Sequence, residues 1–299
     1  MRWLLPTLGI FLILVALRDL FDTLFHPAKR GNITEYITLG VWRFVVRYAP
    51  GLRMLAGPFD FLLVLFFWSA SVVIGFALIY RPFMATQFVV APGMDPARID
   101  RFISALNLSL SNMITVSMGV HTGSAALQFA GAIEAVFGFA ILSASISWLL
   151  SIYPVIEHRR SLAHEVSVLH FAEEAGIQSA EQMSDSDLNT LLLGLAEQLT
   201  TVRTEMSQFP ITYYFQEDEA KTALAPCLLY LAELANDICS TRSLAAAVAL
   251  GGTVDDLLET IEKSYLGKEH ADRWSAIDAL LIDHGREPLR RCHKLPRVA

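Results

Sequence analysis

Three apolar stretches dominate the first half of the chain, and its polar positions gather between them. Residues 59–80 carry one acid, Asp60, near their start, and about 20 apolar residues suffice for a helix to cross the hydrocarbon of a bilayer. Gly57-Pro58 in front reads as a helix start. Residues 129–153 carry one charge, Glu134, and Pro154 then introduces His158-Arg159-Arg160. Residues 3–17 form a shorter stretch. Arg2 before it allows a signal-peptide reading, but no small-x-small cleavage site follows. The helical pattern instead continues through Leu20, Phe21, Leu24 and Phe25, long enough to span if Arg18 and Asp19 snorkel.

Between the second and third stretches the pattern changes. Residues 100–113 predict a short helix with an apolar surface of Phe102, Leu106, Leu108, Leu110 and Met113. The run Ser109-Leu-Ser-Asn-Met-Ile-Thr-Val-Ser-Met-Gly119 is too polar to span and too apolar for an ordinary loop. Non-helical backbone persists at membrane depth only where it is buried in protein or lines a water-filled cavity, so the run is read as a re-entrant pore loop. A helix C-terminus pointing inward would favour a cation. Thr115, Val116, Ser117, Met118 and Gly119 are then expected to run extended, their carbonyls replacing a cation's hydration shell.

Beyond residue 156 the pattern is that of soluble helix, expected over 160–175, 185–208, 217–240, 241–250, 253–265 and 269–283. Leu188, Leu191, Leu192, Leu195 and Leu199 form one apolar stripe. Ser184 with Asp187 reads as a helix cap, and Phe209-Pro210 as a stop followed by an aromatic turn. The last residues, 286–299, read as loosely ordered. Residues 33–55 predict an amphipathic helix, lying in the inner interface or packed on protein. Trp68, Trp148, Tyr80 and Tyr153 include aromatic anchors for the membrane boundaries.

Composition supports this division. Only 18% of the residues are charged, against roughly 25% in soluble domains. Residues 1–156 hold ten Lys and Arg against seven Asp and Glu, whereas residues 157–299 hold thirteen against twenty-three. That acidic second half argues against nucleic acid and against docking on anionic lipid. Arg18, Lys29, Arg30, Arg43, Arg47 and Arg53 lie between the first two spans, and only Arg81, Arg98 and Arg101 between the next two. The positive-inside rule therefore places residues 26–57 and the C-terminal half in the cytoplasm. Three cysteines, all in the second half and without a C-x-x-C pair, suit reduced thiols. Residues 185–196 open like a calcium loop but place Thr190 and Ala196 where Gly and Glu are needed, so calcium is rejected. His164, Glu165 and His170 lack the H-E-x-x-H spacing, and no phosphate loop, nucleophile elbow or dinucleotide fingerprint occurs. No enzyme and no cofactor is expected.

A framework of motifs adds a resemblance: Asp19-Leu-Phe-Asp-Thr-Leu-Phe-His-Pro27, Ala56-Gly-Pro58, Gly75-Phe-Ala-Leu-Ile-Tyr-Arg-Pro82, Glu134-Ala-Val-Phe-Gly138 and Ser147-Trp-Leu-Leu-Ser-Ile-Tyr-Pro154. Over roughly residues 15–165 the chain resembles bacterial potassium channel-like proteins with two spans, a pore loop and an extra N-terminal span. Phe209-Pro-Ile-Thr-Tyr-Tyr-Phe215 resembles part of their helical tail. The resemblance implies a homotetramer in the inner (plasma) membrane passing a monovalent cation, potassium in the family. Thr115, Val116 and Gly119 fit the family's Thr-Leu-Gly-Phe-Gly-Asp filter, while Ser117, Met118 and Val120 depart from it. A non-glycine residue in the left-handed backbone of the first filter glycine costs roughly 1–2 kcal/mol. Met118 removes a bracing aromatic and Val120 an acid ring, so potassium selectivity is expected to be weaker than the family's.

The expected fold is thus an all-α membrane protein with three transmembrane helices, a re-entrant pore helix and filter loop, and a cytoplasmic α-helical domain. Its segments are an N-terminal span (1–26), an interfacial segment (27–58), a pore domain (59–156, with spans 59–80 and 128–154 around a pore helix and filter at 100–122) and the cytoplasmic domain (157–299). Glu134 reads either as a filter-supporting carboxyl or as a paired acid near the outer interface. Gly138 reads either as a gating hinge or as a close-packing position. Asp19, Asp22 and His26 share a helix face, as an ion-binding cluster or as a hydrogen-bond knot. The expected function is a pore-loop cation channel embedded in the lipid bilayer, with an unknown cytoplasmic ligand. The alternative is a non-conducting sensor or scaffold acting through residues 157–299.

Overall fold

A computed structural model of the chain describes residues 3–25, 31–90, 101–116, 120–176 and 182–288. Among these, nearly all regular structure is helical. Three helices are long and apolar enough to cross a membrane, as suits a membrane-embedded protein: α1 (Leu4–Phe25), α3 (Arg53–Tyr80) and α5 (Ala125–Glu174). The chain divides into two compact units, Met1–Thr38 with Asp60–Leu150 and Leu39–Phe59 with Ser151–Ala299. Helix α2 (Asn32–Tyr48) and helices α3 and α5 each contribute to both.

In the first unit α1 packs closely on α3 because both are glycine at the contact. A Cβ on Gly9 would overlap the Gly75 carbonyl, and one on Gly75 would meet the Ile13 side chain. Small residues let apolar helices approach in this way where no hydrophobic force drives them together. Asp19 of α1 is buried and, among the described residues, accepts from four donors: the Ile33 amide (2.9 Å), the Thr34 amide (3.3 Å to each oxygen), the Thr34 hydroxyl (2.5 Å) and the Trp68 indole (3.0 Å). The amides are orphan donors of the first turn of α2, so an acid from another helix serves as its cap. Gly31 borders the same carboxylate with no room for a Cβ. Asp19 is therefore the centre of a hydrogen-bond knot. Arg18 and Asp22 pair at 3.9 Å, and His26 lies outside the described residues.

Of the four aromatic residues expected to include anchors at the membrane boundaries, Tyr153 alone is exposed. Trp68, Tyr80 and Trp148 are buried in protein, Trp148 lying between Phe61 and Trp68 at 5.1 and 5.9 Å, while Tyr153 is exposed. A short antiparallel pair, β1 (Phe88–Val90) with β2 (Val120–Thr122), joins Phe88 to Thr122 and Val90 to Val120, where no strand was expected. Between the strands comes α4 (Arg101–Met113).

The second unit is a helical core of α6 (Asp185–Gln208), α7 (Leu224–Thr241), α8 (Ala245–Ile261) and α9 (Arg273–Asp283), with the end of α5 and part of α2. Leu188, Leu192, Leu195 and Leu199 are fully buried, each stabilising by roughly 1.5–3 kcal/mol relative to exposure. Ser184 caps α6 by accepting from the Asp187 amide at 3.2 Å. Trp42 and Val45 belong to this core, so that face of α2 packs on protein. The Trp42 indole donates to Asp283 at 3.3 Å, as does the Tyr213 hydroxyl at 2.5 Å, and Tyr213 stacks on Tyr265 at 4.0 Å.

Several helix limits differ from expectation, for identifiable reasons. Helix α3 starts at Arg53, before Gly57-Pro58; Gly57 is the contact point for the Phe215 ring, which a Cβ would overlap. Pro154 lies inside α5, which continues without a break to Glu174. Gly251-Gly252 does not divide α8, because Gly251 is a packing site for Ala235 and for Arg273, whose Nη2 donates to its carbonyl at 3.1 Å. Helix α7 begins only at Leu224, since Phe215, Glu217 and Asp218 turn their carbonyls to arginines instead of to a helix. Arg286 supplies one of those arginines, and residues 289–299, the rest of the segment expected to be loosely ordered, lie outside the described residues.

Burial, and then the charges of Arg159, Arg286 and Arg53, push the His284 imidazole down from 6.5 to about 3. Between these values the unfolded chain takes up a proton that the folded chain refuses. Stability must therefore fall as pH drops from about 6.5 toward 3, by up to about 1.4 kcal/mol per pH unit. His284→Gln is expected to flatten that acid limb in pH-dependent unfolding. An unchanged slope would assign it to other groups.

Candidate functional site

The first unit contains a buried polar knot where three helices meet. Glu134 of α5 is 0% exposed. Its Oε2 accepts from the Tyr80 hydroxyl, at the end of α3, at 2.9 Å and from the Asn112 amide of α4 at 3.2 Å. Its Oε1 is bonded to the hydroxyl of Ser109, which also lies 2.8 Å from the Val73 carbonyl of α3. Asn112 reaches the Tyr80 oxygen as well, at 3.4 Å. One carboxyl thus fixes α4 against both apolar helices.

The sequence builds this junction locally. Helix α4 has 13 residues, about 20 Å, too short to cross the hydrocarbon. Ala105, Leu108, Ser109 and Ser111 are nevertheless buried. On α5, Gly131, Glu134 and Gly138 stand at i, i+3 and i+7, one face of a helix. All three meet α4. A Cβ on Gly131 would lie 3.1 Å from the Asn112 amide nitrogen, and one on Gly138 would overlap the Met113 carbonyl.

The end of α4 is closed by its own backbone. The Val116 amide donates to the Ser111 carbonyl at 2.8 Å and the Thr115 amide to the Asn112 carbonyl at 3.0 Å, the paired bonds of a Schellman motif. Thr115 occupies its left-handed position with φ +58°. This corrects the expectation that Thr115 runs extended: the cap takes it before the loop begins. A β-branched residue is a genuine outlier there, and such strain tends to gather at functional segments. Thr115→Gly is expected to stabilise the fold by about 1 kcal/mol in chemical unfolding. A destabilised variant would show that the side chain offsets the strain. Ile114 and Val116 are 59% and 51% exposed on the single chain. Ser117, Met118 and Gly119 lie outside the described residues.

The structure therefore brings Glu134 and Gly138 together around α4 and places Thr115 and Val116 directly beyond it. Sequence reasoning missed Tyr80, Ser109, Asn112 and Gly131. Only Gly131 carried a usable signal, its spacing from Glu134. Among the described residues no group of three His, Cys, Asp or Glu side chains is arranged to hold a metal ion. Comparison with protein-family models, with curated proteins and with solved structures gave no match for this chain.

Proposed function

We propose that the protein is a pore-loop channel for monovalent cations, potassium channel-like, in which four copies surround one axis in the inner membrane. The observation that carries this reading is α4: a short helix between two membrane-length helices, tied to both through Glu134 and released into a strained, exposed turn at Thr115. A helix too short to span and bonded on its polar side to spanning helices is the architecture of a re-entrant segment. Its C-terminal carbonyl end would favour a cation at the beginning of the filter run. Thr115, Val116, Ser117, Met118 and Gly119 would form that filter, Glu134 would hold the pore helix behind it, and the helices after residue 157 would lie in the cytoplasm. Conduction down a gradient makes and breaks no covalent bond, so no catalytic group is required.

Reconstitution into liposomes under opposed potassium and sodium gradients tests the reading. A cation flux abolished by Ser117→Trp is expected, with a reversal potential showing modest preference for potassium. Ser117→Gly with Val120→Asp is expected to sharpen that preference. Silence of both the natural and the repaired protein would leave the scaffold alternative, which the departures at Ser117, Met118 and Val120 favour.

A further inference from the structure

The second unit holds a cleft of about 110 Å³ where the end of α5, the start of α6 and the middle of α7 come together. Tyr230 and Leu234 of α7 line it and are buried. Leu169, Ala172 and Glu173 of α5, Met183 just before α6 and Leu191 of α6 complete the wall. These five are half-buried, so the cleft opens to water on their side. Leu191 belongs to the leucine stripe of α6 and is its one member that is not fully buried. The Met183 side is anchored: Arg242 donates to the Met183 carbonyl at 2.8 Å and pairs with Asp185 at 3.1 Å.

Five of the seven lining residues are apolar, and the other two form one pair, in which the Tyr230 hydroxyl donates to Glu173 Oε2 at 2.7 Å. Burial, and then the Glu173 carboxylate, raise the Tyr230 pKa, so the hydroxyl keeps its proton and steadies the carboxylate. The His170 ring meets Tyr230 in a T-shaped contact at 5.2 Å and helps fix the phenol. With that one proton committed, the carboxylate and the phenol oxygen still carry lone pairs to accept with. Packed interiors leave few voids larger than a water molecule. Water fits this one poorly, since each held water needs about two to four polar partners and the walls offer one pair. The space suits a hydrocarbon body that brings a donor at one end.

We propose that this cleft binds a small apolar amine, its hydrocarbon body against the apolar walls and its ammonium against the Glu173 carboxylate and the Tyr230 oxygen. An apolar cavity of about 150 Å³ takes up benzene, so one ring or a chain of a few carbons is the size that fits. The charge of the head follows from the acceptors. An ammonium brings only donors, whereas a carboxylate brings only acceptors and would face Glu173 with like charge. The wider field acts the same way: residues 157–299 hold thirteen Lys and Arg against twenty-three Asp and Glu, and an acidic surface concentrates cations. A neutral alcohol would make a hydrogen bond without the charge and bind roughly tenfold less tightly. The cleft shares no residue with the proposed filter and stands with or without the channel reading.

The full-length protein is melted in detergent at near-neutral pH and constant ionic strength with benzylamine, benzyl alcohol or benzoate, probes of one size that differ in charge. Benzylamine is expected to raise the midpoint with an apparent affinity roughly tenfold above that of benzyl alcohol, and benzoate to leave it unchanged. Ala172→Leu fills the cleft. It is expected to melt at or above the natural protein without ligand, because it packs an apolar gap, and to abolish the benzylamine rise. Glu173→Gln keeps an acceptor for Tyr230 and is expected to bring benzylamine down to the level of the alcohol. If Ala172→Leu melts far below the natural protein, the Glu173→Gln comparison decides alone. A mere gap in packing would show itself by a stabilised Ala172→Leu and no benzylamine rise in the natural protein. That result overturns the site, as does a benzylamine rise that either variant leaves intact or that benzyl alcohol equals. None of these readouts requires conduction, so failure here is distinct from failure of the channel reading.

Discussion

Glu134→Ala is expected to destabilise the first unit by about 2–6 kcal/mol, since the Tyr80 hydroxyl and the Asn112 amide lose a buried acceptor at roughly 1–3 kcal/mol each, while the Ser109 hydroxyl keeps the Val73 carbonyl. That is a large share of the 5–15 kcal/mol that holds an ordinary domain together. Glu134→Gln separates this account from a simple size effect. Ser109 has one hydroxyl proton and two acceptors in reach, the Val73 carbonyl and Glu134 Oε1. A glutamine amide placed there donates to Ser109, leaves its proton for Val73, and still accepts from Tyr80 and Asn112 through its oxygen. Glu134→Gln should therefore stay within about 1 kcal/mol of the natural protein. Thermal unfolding in detergent of both variants decides the matter, and an alanine variant as stable as the natural chain would show that the knot contributes nothing.

The contrast between what hydropathy revealed and what it hid has a physical basis. The long apolar helices were legible because a bilayer demands about 20 consecutive apolar residues and tolerates few charges, a constraint written locally. Glu134 stood out for the same reason, as one of the rare acids in an apolar run. Its partners did not, because Tyr80, Ser109 and Asn112 are ordinary residues brought to it from 22 to 54 positions away. Asp19 behaves likewise: its value lies in capping a helix that begins at Asn32, and no local pattern announces a cap supplied from elsewhere. Glycines misled in a consistent way. Gly57 and Gly251-Gly252 suggested helix limits, yet Gly57 and Gly251 lie inside helices at points where another side chain presses in. Thr115 is the reverse case, a position that the cap geometry suits to glycine and the sequence fills with a β-branched residue.

Gly138 allows that reasoning to be tested by the sign of an effect. In an unobstructed helix, Gly→Ala stabilises by roughly 0.5–1 kcal/mol because the unfolded chain loses freedom it no longer has to give up. Gly194 in α6 has nothing near its absent Cβ, so Gly194→Ala is expected to gain that amount. Gly138 faces the Met113 backbone carbonyl, which cannot turn aside as a flexible side chain could. Gly138→Ala is therefore expected to cost about 1–3 kcal/mol, and Gly138→Val more, by forcing the end of α4 away from α5. The displaced end carries Thr115 and the start of the proposed filter. In a channel the same substitution must therefore reduce cation flux in liposomes as well as the unfolding midpoint, while Gly194→Ala leaves flux unchanged. If Gly138→Ala instead gains stability as Gly194→Ala does, the helices are not in contact at this point. If it loses stability yet conducts normally, α4 is not what holds the filter. Only a joint loss ties the packing of α4 on α5 to permeation.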